Sequence, residues 1–438
     1  MKHLRIAAAL VLALLCTPVL AGVQIVAVTS PGGLSAWLVE DHSLPFTALE
    51  IRFRGGTSLD PPGARGATYL MTGLLEEGTG DLDSRGFAEA RDRLGAQFAF
   101  DASDDSVAVS ALILSENREA AGDLLGRALA APRLDADAIE RVRQQVLSGL
   151  RADARDPATI AALRFNAMAF GAHPYASSGK GTPESVAALT RRDLLAAHRN
   201  ALARDRVFIA AAGDITPDQL GALLDRILAA LPETGAALPG PAPWNLSGGV
   251  SIVDFPSPQS VVMFGERGIA LDDPDFFPAF VLNEALGGDR FSARLMNEVR
   301  ERRGLTYGIG TWLANPDRAT MLLGQFSASN DKVAEAISVI RDEWARTAEN
   351  GIGEEELAAT KTYLTGAYPL RFDGNAPIAS MLVGMQMQGF PIDYPDTRNA
   401  RIEAVTAADI RRVAARLLKP DALRFVVVGQ PEGLTESP

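Results

Sequence analysis

Between Phe291 and Gly308 the chain reads Phe-Ser-Ala-Arg-Leu-Met-Asn-Glu-Val-Arg-Glu-Arg-Arg-Gly-Leu-Thr-Tyr-Gly, and two of its side chains can do chemistry together. The guanidinium of Arg300 beside the phenol of Tyr307 would hold a peptide carbonyl and stabilise its oxygen as charge builds in a tetrahedral intermediate. Leu295, Met296 and Val299 share one helical face, arginines crowd the C-terminal turn where the macrodipole favours cations, and Gly304 ends the helix. Tyr307 is then expected to open the next strand, so that helix, turn and strand bring the pair to one edge. Taken alone, the same residues better fit a solvated arginine-rich helix end, paired with Glu298 or Glu301, and a tyrosine packing its ring. Arg303 is an alternative carrier of the guanidinium role.

Other chemistry is hard to find. No Gly-x-Ser-x-Gly elbow occurs, and Ser178-Gly179-Lys180-Gly181-Thr182 lacks both the Ser/Thr after lysine and the upstream glycine of a phosphate loop, so it reads as a turn. The pairs Glu76-Glu77 and Asp104-Asp105 read as solvated faces or turns. His42, His173 and His198 are far apart in sequence and read as surface or packing residues. Cys16, the single cysteine, lies in the N-terminal apolar segment, which excludes a disulfide framework, a cysteine-based zinc site and a cysteine nucleophile in the chain after it.

The elements that must position these residues are written twice. Thr190-Arg191-Arg192-Asp193-Leu194 opens a helical pattern leading to the apolar run Val207 to Gly213, and Thr406-Ala407-Ala408-Asp409-Ile410 leads likewise to Leu423 through Gly429. Thr190 and Thr406, Asp193 and Asp409, Gly213 and Gly429 are each 216 apart. In both copies threonine is a helix N-cap with an acid at the third helical position. Between the copies, 232–249 interleaves prolines and glycines that sustain neither helix nor central strand, and reads as a linker. Strands are expected at 36–39, 47–53, 106–112 and 207–212, separated by longer helical patterns. The fold class is therefore α+β: two homologous halves, 22–231 and 250–438, each a mixed or antiparallel sheet packed with helices.

At the N-terminus, Lys2, His3 and Arg5 precede an apolar run from Ile6 to Leu15, and Val19-Leu20-Ala21 supplies small residues for a signal peptidase. Residues 1–21 read as a Sec signal peptide cleaved after Ala21, which sends the chain to the periplasm of a Gram-negative source. The run is too short to span a bilayer, and no later stretch reaches about 20 apolar residues. With 42 Lys+Arg against 54 Asp+Glu the net charge of −12 argues against nucleic acid or an anionic membrane as main partner.

The segment Gly66 to Thr79 has the rhythm of an amphipathic helix closed by a C′ glycine. Here the chain resembles the pitrilysin/insulinase (M16) zinc peptidases, whose corresponding helix carries His-x-x-Glu-His within the same Gly and Gly-Thr frame. Tyr69 takes the first histidine's position, Thr72 the glutamate's and Gly73 the second histidine's, and none can do the original job. The family's third ligand, a glutamate, would fall near Ser148-Gly149, and 141–152 holds no carboxylate. The resemblance spans nearly the whole mature chain: Thr57 to Pro61, Ser84 to Ala96 with Ser106 to Ala111, His173-Pro174-Tyr175 through Glu184, and Thr190 to Asp214 all match in order.

What the resemblance implies is a half-clamshell that binds no cofactor itself. It would close on a homologous subunit that holds zinc in an intact His-x-x-Glu-His motif. Arg300 and Tyr307 match the family's Arg…Tyr element, which acts across the chamber from the zinc, on peptide substrates. The alternative is a structural or peptide-holding module with no role in chemistry.

Overall fold

The computed structural model of the chain describes residues 24–437; the expected signal peptide and Cys16 lie outside them. Some strands form where apolar and polar residues alternate. In Ser106–Leu114, Val107, Val109, Ala111 and Ile113 are buried and the residues between them are half-exposed. Val207–Gly213 and Arg424–Gly429, each paired on both sides within its sheet, are instead near-continuous buried runs. The first half contains β1 Val26–Thr29, β2 Ser35–Glu40, β3 Phe46–Arg54, a ribbon of β4 Gly78–Thr79 and β5 Leu82–Asp83, then β6 Gln97–Ala102, β7 Ser106–Leu114 and β8 Val207–Gly213. The second contains β9 Gly249–Asp254, β10 Gln259–Arg267, β11 Ile309–Ala314, β12 Met321–Ser329 and β13 Arg424–Gly429.

The two sheets have one topology. In the first the order is β1-β2-β8-β3-β7-β6, and in the second β11-β12-β10-β13-β9. Read from β2 and from β9, the same five-strand order appears, with a single parallel pair in each, β2 with β8 and β9 with β13. The repeat extends to single side chains. Asp193 accepts the Thr190 backbone N–H at 2.9 Å and Asp409 that of Thr406 at 3.0 Å, the reciprocal capping expected at both helix starts. Gly213 and Gly429 close their strands at φ 128° and 156°, where a Cβ would lie 2.3 Å from the Phe46 carbonyl oxygen and 2.1 Å from Ser260 Oγ.

The halves exchange helices. The helix Pro157–Phe170, from the first half of the sequence, lays Ala161, Phe165, Ala169 and Phe170 on the second sheet against Met263, Leu323, Val426 and Val428. The helix Asn375–Met387, from the second half, lays Ile378, Ala379, Leu382 and Val383 on the first sheet against Val39, Ala48, Ala210 and Ala212. Each sheet's other face packs on helices of its own half. Residues 232–248 form neither helix nor strand, and Trp244 stands edge-on to Phe165 and Phe170 at 6.4 and 6.1 Å.

Three local expectations need correction. The helix at Gly66–Thr79 is only Ala67–Thr72. Beyond it Leu74 and Leu75 bond back three residues, to Met71 and Thr72, because Gly73 is a poor helix former and the chain tightens there. In the arginine-rich segment, Met296–Glu301 is wound as a π-turn, with the Arg302 N–H on the Asn297 carbonyl at 2.9 Å. Tyr307 does not open β11, which starts at Ile309, but sits in the bend before it.

Candidate functional site

The short helix Ala67–Thr72 is fixed at its start by Asp60, a buried carboxylate. Asp60 accepts from the Gly66 N–H at 2.9 Å, the Thr68 N–H at 3.0 Å and Thr68 Oγ1 at 2.6 Å. One turn on, Thr72 Oγ1 donates to the Thr68 carbonyl at 2.8 Å. Tyr69, Thr72 and Gly73 then line a cavity of about 210 Å³, shared with Gln145 and Gly149 of the helix Ala136–Asp153 and with Lys180. Gly149 thus stands where the resemblance puts the third ligand. The donors offered are a phenol, a hydroxyl already spent on a carbonyl, amide groups and a lysine ammonium. One carboxylate also lines the cavity, Asp101, which accepts from the Ala102 N–H at 2.9 Å. Zinc sites of this kind use three protein ligands of imidazole, thiolate or carboxylate type, and this set does not fit. Among the described residues no three His, Cys, Asp or Glu side chains could hold a metal ion together.

Lys180 is a resident the sequence did not announce. Its Nζ lies 2.8 Å from Asp153 Oδ2, a pair separated by 27 positions, and no spacing rule links a turn lysine to a helix-end aspartate. The pairing with Asp153 raises the lysine's pKa, so the ammonium keeps its charge beside the cavity.

The second constellation rests on Leu295 and Val299, which anchor the π-turn in the core of the second half. Gly304 turns the chain at φ 61°, and its N–H reaches the Arg300 carbonyl at 2.8 Å. Thr306 Oγ1 donates to the Ser327 carbonyl at 2.6 Å and accepts the Gly308 N–H at 3.1 Å, pinning the bend to β12. This brings Arg300 and Tyr307 to one cavity of about 400 Å³, with Gln259 and Lys332 in the same wall.

Tyr307 is 86% exposed, so it does not pack its ring against the fold. Arg300 lies over the Phe291 ring at 4.9 Å, and its Nε stands 3.5 Å from Glu301 Oε1. Arg303 is committed elsewhere, to Glu298 Oε2 at 2.6 Å and the Glu298 carbonyl at 2.8 Å, and is not among the cavity's lining residues. The arrangement presents a guanidinium, a phenol and an amide to one space, with the Glu301 carboxylate in the same wall and the Lys332 ammonium donating to the Gly304 carbonyl at 2.9 Å, a set suited to holding the oxygens of a neutral carbonyl group.

The remaining acids and histidines have structural partners. Asp104 accepts from Thr57 Oγ1 at 2.8 Å and lies 3.2 Å from an Arg65 nitrogen. Glu76 lies 3.3 Å from Arg91, and Glu77 pairs with Arg141 at 2.5 Å. His198 is buried with Nε2 at 2.7 Å from the Leu129 carbonyl, and burial lowers its pKa. His173 meets the Gly240 carbonyl at 3.2 Å, and exposed His42 meets Asp214 at 2.7 Å.

Repeated α+β halves, with a helix Ala67–Thr72 whose residues do not fit zinc, define a metallopeptidase-like scaffold. The chain belongs to the M16 (pitrilysin/insulinase) family. Residues 36–182 match Insulinase (Peptidase family M16), and residues 188–364 match the Peptidase M16 inactive domain. The chain is 25% identical over 392 residues to a protein of Helicobacter pylori named Non-peptidase homolog YmxG, covering 89% of this chain and 90% of that one. It is 27% identical over 400 residues to Uncharacterized zinc protease Rv2782c of Mycobacterium tuberculosis, covering 89% and 90%. A solved structure described as a peptidase M16 inactive domain from Pseudomonas fluorescens superposes with a TM-score of 0.86 at 28% identity, covering 95% of this chain and all of that one. No helix among the described residues is long and apolar enough to cross a membrane.

Proposed function

We propose that this chain is the non-catalytic subunit of a heteromeric periplasmic peptidase of the M16 type. A homologous partner with an intact His-x-x-Glu-His motif supplies zinc and the general base. This chain supplies Arg300 and Tyr307 in trans to bind the substrate carbonyl, together with half of the peptide chamber. The observation that carries the reading is the cavity shared by Arg300 and Tyr307, whose phenol is 86% exposed and accepts or donates no hydrogen bond among the described residues. A side chain so free contributes little to its own fold, which speaks for a role toward another molecule. The misfit between zinc chemistry and Tyr69, Thr72 and Gly73 supports the absence of hydrolysis by the lone chain, as do relatives named non-peptidase homolog and inactive domain. The periplasmic assignment rests on residues 1–21 of the sequence.

The test is co-purification with an M16 chain of the same genome that keeps the motif. Arg300→Ala and Tyr307→Phe should each lower peptide turnover by the complex roughly 10²- to 10³-fold, the usual cost of one lost carbonyl-oxygen donor, without dissociating it. Unchanged turnover in both variants would remove the catalytic role and leave a module that only holds peptide or stabilises its partner.

A further inference from the structure

A larger cavity, of about 530 Å³, lies where the two halves meet, away from both constellations above. It is built by the equivalent hairpin turns of the two sheets, between β6 and β7 and between β11 and β12. The Asp317 N–H donates to Asp105 Oδ2 at 3.0 Å, and the Arg318 N–H donates to the Tyr175 hydroxyl oxygen at 3.1 Å. Tyr175 in turn donates its hydroxyl proton to Asp105 Oδ1, and burial and that carboxylate raise the phenol's pKa, so the proton stays. The Pro/Gly-rich segment is strapped alongside by the Ala242 N–H on the Arg318 carbonyl at 2.9 Å.

The polarity of the wall is uneven. Both acids in it are already used: Asp105 accepts on both oxygens, and Asp317 lies 2.9 Å from Arg54 Nε. Two arginines in the same wall, Arg267 and Arg318, make no side-chain ion pair or hydrogen bond among the described residues. Asn315 Oδ1, also in this wall, is buried and accepts nothing from the protein. A buried acceptor left unmade is costly, and the same wall holds two unpaired guanidiniums, so the site is complementary to a group that is anionic on one side and carries an N–H on the other. Beside them Trp244, Pro243 and Met387 give an apolar surface.

We propose that this junction cavity binds the free carboxyl terminus of a peptide. The carboxylate pairs with Arg267 and Arg318, the terminal amide N–H donates to Asn315 Oδ1, and the last side chain lies on Trp244, Pro243 and Met387. Inorganic phosphate at neutral pH would satisfy the arginines but leave the apolar wall unfilled. A free amino acid would bring an ammonium, and its charge, close to two guanidiniums. Hydrolysis of a peptide bond creates a carboxyl terminus of this kind, so the site would retain a product peptide beside a peptidase; the assignment does not depend on that reading, because the cavity belongs to this chain alone.

The experiment is calorimetric titration of the lone mature chain with the tripeptide Ala-Ala-Leu as free acid, its C-terminal amide, free leucine and inorganic phosphate. The free acid should bind saturably at one site and the amide at least about tenfold more weakly, since the charge-assisted pairs are lost. Arg318→Gln and Arg267→Gln should each weaken the free acid about tenfold, and Asn315→Ala severalfold, with unchanged circular dichroism. Arg192→Gln, at an exposed arginine outside both cavities, should leave the titration unchanged, which separates this site from a general loss of positive charge. Equal binding of acid and amide, or no saturable binding, would overturn the proposal. Phosphate binding as tightly as the peptide would reduce the cavity to an anion site, and leucine doing so would make it an amino-acid site. Either result overturns the peptide assignment without touching the proposed function.

Discussion

On the resemblance, Tyr69, Thr72 and Gly73 stand where three ligand-type side chains would, and the cavity they line says what installing such a set needs. A Cβ built on Gly149 meets nothing within 4 Å, so a glutamate there has room, whereas one on Gly73 comes 3.1 Å from Val142 Cγ1 and requires that valine to give slightly. Tyr69→His, Thr72→Glu and Gly73→His together provide two imidazoles and a carboxylate without the third ligand. Adding Gly149→Glu should tighten zinc binding at least about tenfold over the triple variant, because a closed set of three protein ligands holds zinc far better than two. Competition with a chromogenic chelator measures it, and equal affinities would mean that residue 149 does not face the metal position. That Tyr69, Thr72 and Gly73 belong together was legible in the sequence, because they lie within one turn of one another, and the structure puts them with Gly149 on one cavity. Lys180 was not, since its approach to the cavity depends on how a turn folds back onto a distant helix.

At the scale of elements, β7 was legible because a half-buried strand imposes period-two alternation, β8 and β13 as apolar runs closed by glycine, and the two threonine caps because Thr and Asp three apart satisfy each other's neighbours locally; β1, β6, β9, β10 and β12 were not read from the sequence. The early end of the helix after Gly66, where the chain tightens at Gly73, was not read, and neither was the π-turn before Gly304, because that depends on how Leu295 and Val299 anchor the chain in the core of the second half. One buried carboxyl gives the second sheet a pH signature. Glu266 on β10 is 2% exposed, accepting from Trp344 Nε1 at 2.7 Å and the Lys419 N–H at 3.0 Å, and burial pushes its pKa from an ordinary 4.5 up to about 8. Between those values the folded chain holds a proton that the unfolded chain has released, so stability falls as pH rises from about 4.5 to about 8. Glu266→Gln should flatten that decline in urea-midpoint measurements. It should also lower stability at pH 5 by about 1–3 kcal/mol, because one of its two contacts then sets N–H against N–H. A slope unchanged by the substitution would show that Glu266 does not carry the effect.

The whole molecule is less divisible than its repeated sequence suggests. An amphipathic pattern shows that a helix buries one face but not what it is buried against, so nothing in 157–170 or 375–387 told that each covers the sheet of the opposite half. The consequence is thermodynamic. Separated at the Pro/Gly-rich segment, the first half would expose Val39, Ala48, Ala210 and Ala212 on one sheet face and carry Phe165 and Phe170 on a helix with nothing to cover; the second half would be stripped in the same way. Exposed sheet faces of this size associate rather than stay in solution. Residues 22–231 and 250–438 expressed alone should therefore be insoluble or lack cooperative unfolding, while co-expression of the two should give a soluble complex with near-native circular dichroism. Phe165→Ala, which empties a fully buried position between the halves, should cost about 3–5 kcal/mol and shift one single transition of the intact chain, not a transition of the first half alone. Two resolved transitions, or a soluble and cooperatively folding fragment, would mean that the exchanged helices are accessory and that each half is a domain in its own right.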